Sequence, residues 1–413
     1  MIKKAGVIAV AGVFLASQAG WAGLSFQDLE LPVLLFPPVS DCYTIEAVTR
    51  NLDDPGSLVF TLDSPHAEYE VQGLVNLRQR LQEIRVIETL KEGEWTGGNL
   101  TDGVTDAVVD TGEGLKNLVV HPIRSAKGMG TAVGKIGKTV GRVFRGKNEG
   151  EKTTFGENMM GSTKRQIAKN LGVDVYSKNP HLQKKLDVLA QSKMGGKGVM
   201  ILTNLLMPFA MAISLVVTAS SLNAAADELV NDSSRPELYE ANKKALMDIG
   251  FDVNSAKMLL DLPYYTPREA TYLRFCLEKL RRARGFERIA AAAMNATTEA
   301  QAIRVLYEAE IAADMADSIP GLFAIRETPE GLAVGYDRQL VFITGYDYLD
   351  RSPLGDRVVD AALRMREELG KDSVEIVSAG ILEKSWTQDL VSRGIRTRKL
   401  ALFVKATEAA GKK

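Results

Sequence analysis

The sequence predicts an α+β protein, with a mostly α-helical middle and a small C-terminal α/β domain. Apolar residues recur at helical spacing through 163–318, and capping signals open several of those stretches. From 320 to 406 the rhythm changes to short β-branched runs divided by Pro, Gly and Asp turns and interleaved with two helical patterns. A length of 413 residues, 45% hydrophobic and 25% charged, suits several folded units and excludes collagen-like, disulfide-dense and wholly disordered classes.

Residues 1–22 read as a secretory signal peptide. Lys3 and Lys4 precede a charge-free apolar run, Ala5 to Ala16, and Gly20 and Ala22 stand at the −3 and −1 positions of a cleavage site. The run is too short to span a bilayer. The expectation is export to the periplasm or to an envelope membrane. An oxidising compartment would permit a disulfide between Cys42 and Cys276. The competing reading is two unrelated thiols, with Cys276 on the apolar side of a helix.

Next comes an acidic α/β region, 23–95, in which Leu31–Phe36 and Ser57–Leu62 read as strands and Val71–Leu90 as an amphipathic helix. Charge is strongly segregated here. Residues 23–115 hold 17 acidic and 5 basic side chains, whereas 116–197 hold 17 basic and 5 acidic ones, although the whole chain is close to neutral at −1. The basic side chains are densest in the Gly-rich segment 96–162, where Val133, Ile136, Val140 and Val143 step at helical spacing. Lys127, Lys135, Lys138, Arg142 and Arg145 would face an anionic membrane surface or an envelope protein, each contributing about 1 kcal/mol near such lipids. Pairing with the acidic N-terminal region competes with that contact. Phe144 is the only aromatic between Lys116 and Lys147, which leaves no stacking ladder for nucleic acid.

The helical region 163–318 includes Val199–Ala219, an uncharged apolar run long enough to cross about 30 Å of hydrocarbon. A cleaved signal would leave the basic region outside, against the positive-inside rule. A single span therefore competes with reversible insertion and with a buried helix. Around this run, Lys164–Leu171 predicts a helix, and Asn179-Pro180 caps and opens another over His181–Ala190. Thr266-Pro267-Arg268-Glu269 is a capping box that sends Tyr272, Phe275, Cys276 and Leu280 inward, and Glu299–Met315 follows as a further helix. In the last domain, Leu322–Arg326, Leu332–Tyr336, Leu340–Thr344, Val374–Val377 and Leu400–Val404 predict strands. Helices start at Ser352-Pro353 and cover Glu383–Ser392.

Chemistry concentrates in this last domain. Asp347, Asp350 and Asp356 follow the Leu340–Thr344 strand, where open α/β sheets bind ligands, and three carboxylates suit a hard cation such as magnesium. Ser378-Ala379-Gly380 could present backbone donors to an anion. No organic cofactor, and no catalytic residue, is implied. His66, His121 and His181 are scattered, and nucleophile elbows, phosphate loops and His-Glu-x-x-His pairs are all missing.

Gly114–Arg145, Lys164–Ala190 (with Val173-Asp174-Val175-Tyr176-Ser177-Lys178-Asn179-Pro180) and Asp261–Leu280 resemble a family of exported bacterial proteins without assigned activity. The resemblance implies bacterial export and brings no site residue. The expectation is an envelope protein that contacts a membrane or partner through its basic and apolar helical region. The alternative is a soluble periplasmic enzyme or ligand-binding protein with its site in the C-terminal domain.

Overall fold

The computed structural model describes residues 29, 39–90, 155–194, 221–316, 319 and 323–399. The signal peptide, Leu31–Phe36, the five basic residues from Lys127 to Arg145, Val199–Ala219 and Leu400–Val404 lie outside them.

The class is α+β. The N-terminal layer is an antiparallel meander of β1 (Val39–Ser40), β2 (Tyr43–Arg50), β3 (Leu58–Asp63) and β4 (Glu68–Gln72). Alternate residues of β3 are buried, Leu58, Phe60 and Leu62, as the two-residue period of a strand requires. They pack on Leu74, Leu77, Leu81 and Ile84 of α1 (Leu74–Thr89).

Four helices form a second core. α2 (Phe155–Leu171) and α3 (Pro180–Met194) make a hairpin, joined by α1 and by α4 (Ser221–Asp232). Val86, Ile87 and Leu90 meet Ile167, Leu171, Leu182, Leu186 and Val230 there. The turn before α3 works as its composition predicts: Asn179 Oδ1 accepts from the amides of His181 (3.1 Å) and Leu182 (3.5 Å).

The helices α5 (Arg235–Asp248), α6 (Val253–Leu260), α7 (Pro267–Leu280), α8 (Glu287–Asn295) and α9 (Glu299–Ala316) complete the middle. The Thr266 capping box forms as predicted, with Thr266 N donating to Glu269 Oε2 (2.6 Å) and Glu269 N donating to Thr266 Oγ1 (3.2 Å). A second box, Ser234 with Glu237, opens α5.

The C-terminal sheet has the order β11-β9-β7-β6-β5, from β5 (Ala324–Thr328), β6 (Gly331–Tyr336), β7 (Gln339–Thr344), β9 (Ser373–Ser378) and β11 (Arg396–Lys399). β5, β6 and β7 are antiparallel; β7, β9 and β11 are parallel, joined by the crossover helices α10 (Pro353–Glu368) and α11 (Lys384–Ser392). The short strands β8 (Tyr348–Leu349) and β10 (Ile381–Leu382) pair beside it. Leu332, Val334, Val341 and Ile343 face the helical middle, while Ala333, Leu340, Phe342 and Ile376 face Val358, Ala362 and Trp386 of α10 and α11. Each large side chain buried this way contributes about 2 kcal/mol.

Leu400–Val404 lies outside the described residues, and the last strand among those described precedes it. Pairing with β9 sets Arg396 opposite Glu375 and Lys399 opposite Ser378, so among the described residues the edge strand is the charged run Arg396–Lys399. An edge has one ladder to make and tolerates such residues. Cys42 packs with the N-terminal layer, and Cys276 is buried in the helical core, where burial pushes its pKa well up. The two side chains belong to separate cores, and the structure does not bridge them.

Candidate functional site

The parallel strands β7 and β9 end where ligands enter open α/β sheets. In this protein the chain's own loop, 51–57, fills that place. Gly56 O accepts from the amides of Asp347 (2.9 Å) and Tyr348 (3.1 Å). Asp347 answers across the junction, with Oδ2 accepting from Leu58 N (2.9 Å) and Oδ1 from Leu74 N (3.0 Å). Its carboxylate thus caps the start of β3 and of α1 together. Burial raises its pKa to about 6 against the pull of those two amides. The Tyr346 ring packs so closely that a Cβ on Gly56 would stand 2.1 Å from it.

The three carboxylates named from the sequence part company here. Asp347 is buried and spent on backbone amides, Asp350 pairs with Arg50 Nη2 at 2.5 Å, and Asp356 is exposed in the first turn of α10. Among the described residues, no three His, Cys, Asp or Glu side chains are grouped to hold a metal ion. Ser352 caps the helix that follows, accepting from Gly355 N (3.4 Å). Ser378-Ala379-Gly380 holds no open anion nest. Ser378 is fully buried, and a Cβ on Gly380 would meet Asp347 O at 2.2 Å. The following helix start is occupied by Glu383, which accepts from Ser385 N and Trp386 N. Burial works to raise that carboxyl, yet the Ser385 hydroxyl and these amides hold it below its ordinary value.

Two histidines that look scattered in sequence come together. The His66 and His181 rings stack with centroids 6.4 Å apart, and His66 Nε2 lies 2.8 Å from Glu88 Oε1. Tyr69 meets His181 edge-on, Arg80 lies over Tyr69, and Arg80 reaches Glu83 Oε2 at 2.9 Å. Glu83, 1% exposed, also accepts from Ser177 Oγ and from Asn179 Nδ2 (3.1 Å). Burial lowers the His181 pKa, as do His66, Lys184 and Arg80 around it. Arg80 is paired with Glu83 and His66 stands against Glu88, so the cluster is internally matched and ties α1 to the start of α3. A surface cavity of ≈ 480 Å³ beside it is lined by Lys178, Lys184, Asp187 and Val188. Lys178 is engaged with Glu299 and Asp187 with Lys164.

The third feature is where the chain enters and leaves the four-helix core. Lys164 and Asp187 pair at 2.5 Å across the antiparallel hairpin, so Phe155 and Met194 share the end remote from the turn 172–179. α1 runs parallel to α3: Glu83 meets Asn179 at the turn, and one to two helical turns on, Leu90 O accepts from Lys185 Nζ (2.8 Å). α4 reaches the turn with its C-terminus, where Asp232 lies 3.6 Å from Lys169 and Tyr176 donates to Ser233 O. Ser221 is therefore directed away from the turn. Leu90, Phe155, Met194 and Ser221, the attachment points of 91–154 and 195–220, stand toward one end of this core.

Among the described residues no helix is long and apolar enough to cross a membrane. No family model, no curated protein and no solved structure matches the chain.

Proposed function

We propose that this chain is an exported envelope protein that contacts an anionic membrane surface through its basic and apolar segments, with the folded body as their mount. The observation that carries the reading is the common end of the four-helix core. Segment 91–154, with Lys127, Lys135, Lys138, Arg142 and Arg145, joins the body there, and so does 195–220, with Val199–Ala219. Cationic side chains give attraction to anionic headgroups and the apolar run gives depth, two signals that together hold a protein at a bilayer better than either alone. The filled crevice at β7 and β9 supports the same reading, because it gives the C-terminal sheet a docking role in place of a ligand site. Vesicle binding tests it. Vesicles rich in anionic lipid should bind the mature chain, with affinity falling as salt rises, and changing the five basic residues to Gln should weaken binding at least tenfold. Binding that ignores both salt and the substitutions would refute the proposal.

A further inference from the structure

The junction between loop 51–57 and the residues after β7 is buried and rich in carboxylates. Asp54, Glu308 and Asp347 are 5%, 3% and 6% exposed. One guanidinium faces the first two, that of Arg304, whose Cζ lies 4.6 Å over the Tyr346 ring and whose buried Nε has no hydrogen-bond partner among the described residues. Glu308 Oε1 accepts from Gly345 N (3.0 Å), and Asp54 Oδ2 accepts from Ser57 Oγ (3.0 Å). Space is closed around them: a Cβ on Gly345 would stand 2.5 Å from Arg304 O. With both ionised, Asp54 and Glu308 share one cation, and Asp54 also faces Asp347, in a place that solvent screens poorly.

We propose that this junction is a proton-controlled latch, in which a proton held by Glu308 keeps the N-terminal layer docked on the C-terminal sheet and its loss above neutral pH loosens the contact. The groups facing Glu308 come from several neighbouring elements: Arg304 on its own helix, Asp54 from the loop before β3, Tyr265 just before α7, Glu327 on β5, and the Gly345 amide and Tyr346 after β7. Arg288 offsets Glu327 from α8, and Asp54 also faces Asp347. Burial lifts the Glu308 carboxyl to about 7; Arg304 and the Gly345 amide pull it down, Asp54 and Glu327 push it up. A folded-state value above the unfolded one means that the docked form binds more protons. Docking is thus fully supported below about 4, the ordinary range of a carboxyl, and support is lost as pH rises through about 7.

Hydrogen exchange of the full chain reads this directly. The Asp347 and Tyr348 amides donate to Gly56 O across the junction, so their protection, corrected for the intrinsic pH dependence of exchange, reports docking. Protection at these two should fall about tenfold from pH 6 to pH 8, the limit for one proton released with a midpoint near 7, while amides in α7 hold constant. Glu308→Gln should cut the fall to about twofold, the part that Asp347, itself raised to about 6, still supplies. Asp54→Asn, which removes the repelling neighbour, should make the fall smaller and move it to lower pH. Protection that is flat or rises with pH in the wild type, a Glu308→Gln variant with the wild-type fall, or an Asp54→Asn variant with an unmoved midpoint would each overturn the latch.

Discussion

Asp347→Asn sets burial against hydrogen bonding, and the structure decides which prevails. The carboxylate accepts two buried amides, Leu58 N and Leu74 N, which argues that any replacement destabilises. Burial outweighs them, however. A carboxyl moved from 3.8 to about 6 prefers its proton in the fold by about 3 kcal/mol. The ionised side chain therefore weakens the fold at neutral pH relative to a neutral group of the same shape. Asn is such a group, and because its Nδ2 donates and cannot accept, one of the two amides loses its acceptor, at a cost that does not change with pH. Relative to wild type, Asp347→Asn should gain stability with rising pH, and the difference between the two should move by about 2 kcal/mol in its favour from pH 4.5 to pH 7.5. Asp347→Ala leaves both amides without an acceptor, at about 1–3 kcal/mol each, and should be the least stable of the three at pH 4.5. Urea denaturation at the two pH values measures all of this. A wild-type-to-Asn difference that does not change with pH, or that moves the other way, refutes the argument that burial dominates at this carboxyl.

Two further substitutions test the elements that hold the layers together. Glu83→Ala removes the acceptor shared by Arg80, Ser177 and Asn179 and should cost about 3 kcal/mol in chemical denaturation, because it leaves buried polar partners unpaired. Gly380→Ala drives a Cβ to 2.2 Å from Asp347 O and 2.4 Å from Tyr346 O, backbone atoms that cannot swing aside. It should open the β8–β10 ladder and lower stability by about 3 kcal/mol, a loss visible as a lower Tm.

Local chemistry made part of this fold legible. Thr266 with Glu269, and Asn179 with Pro180, announce helix starts through contacts no more than three residues apart, and both form as read. The β5–β6–β7 meander and α10 follow from alternation, turns and a Ser-Pro start. Strands whose sequence is mixed were missed: β4 reads Glu-Tyr-Glu-Val-Gln and β11 reads Arg-Thr-Arg-Lys, and each becomes a strand because its neighbour offers a ladder. The site divides in the same way. The loop after β7 was found as a place of concentrated carboxylates, but its occupant was not, since Leu58 and Asp347 stand 289 positions apart. Nothing within a short window links His66 to His181, or Asp54 to Glu308. These pairings depend on how whole layers dock.

The central claim is that one end of the four-helix core faces a membrane. It is tested most directly by fluorophores placed in a Cys42→Ser background, one at Gln191 near the end of α3 and one at Asp232 by the opposite turn, both exposed. On anionic vesicles carrying a headgroup quencher, the account predicts strong quenching from Gln191, weak quenching from Asp232, and reversal of both by salt. Equal quenching at the two positions, stronger quenching at Asp232, or none at either would contradict it.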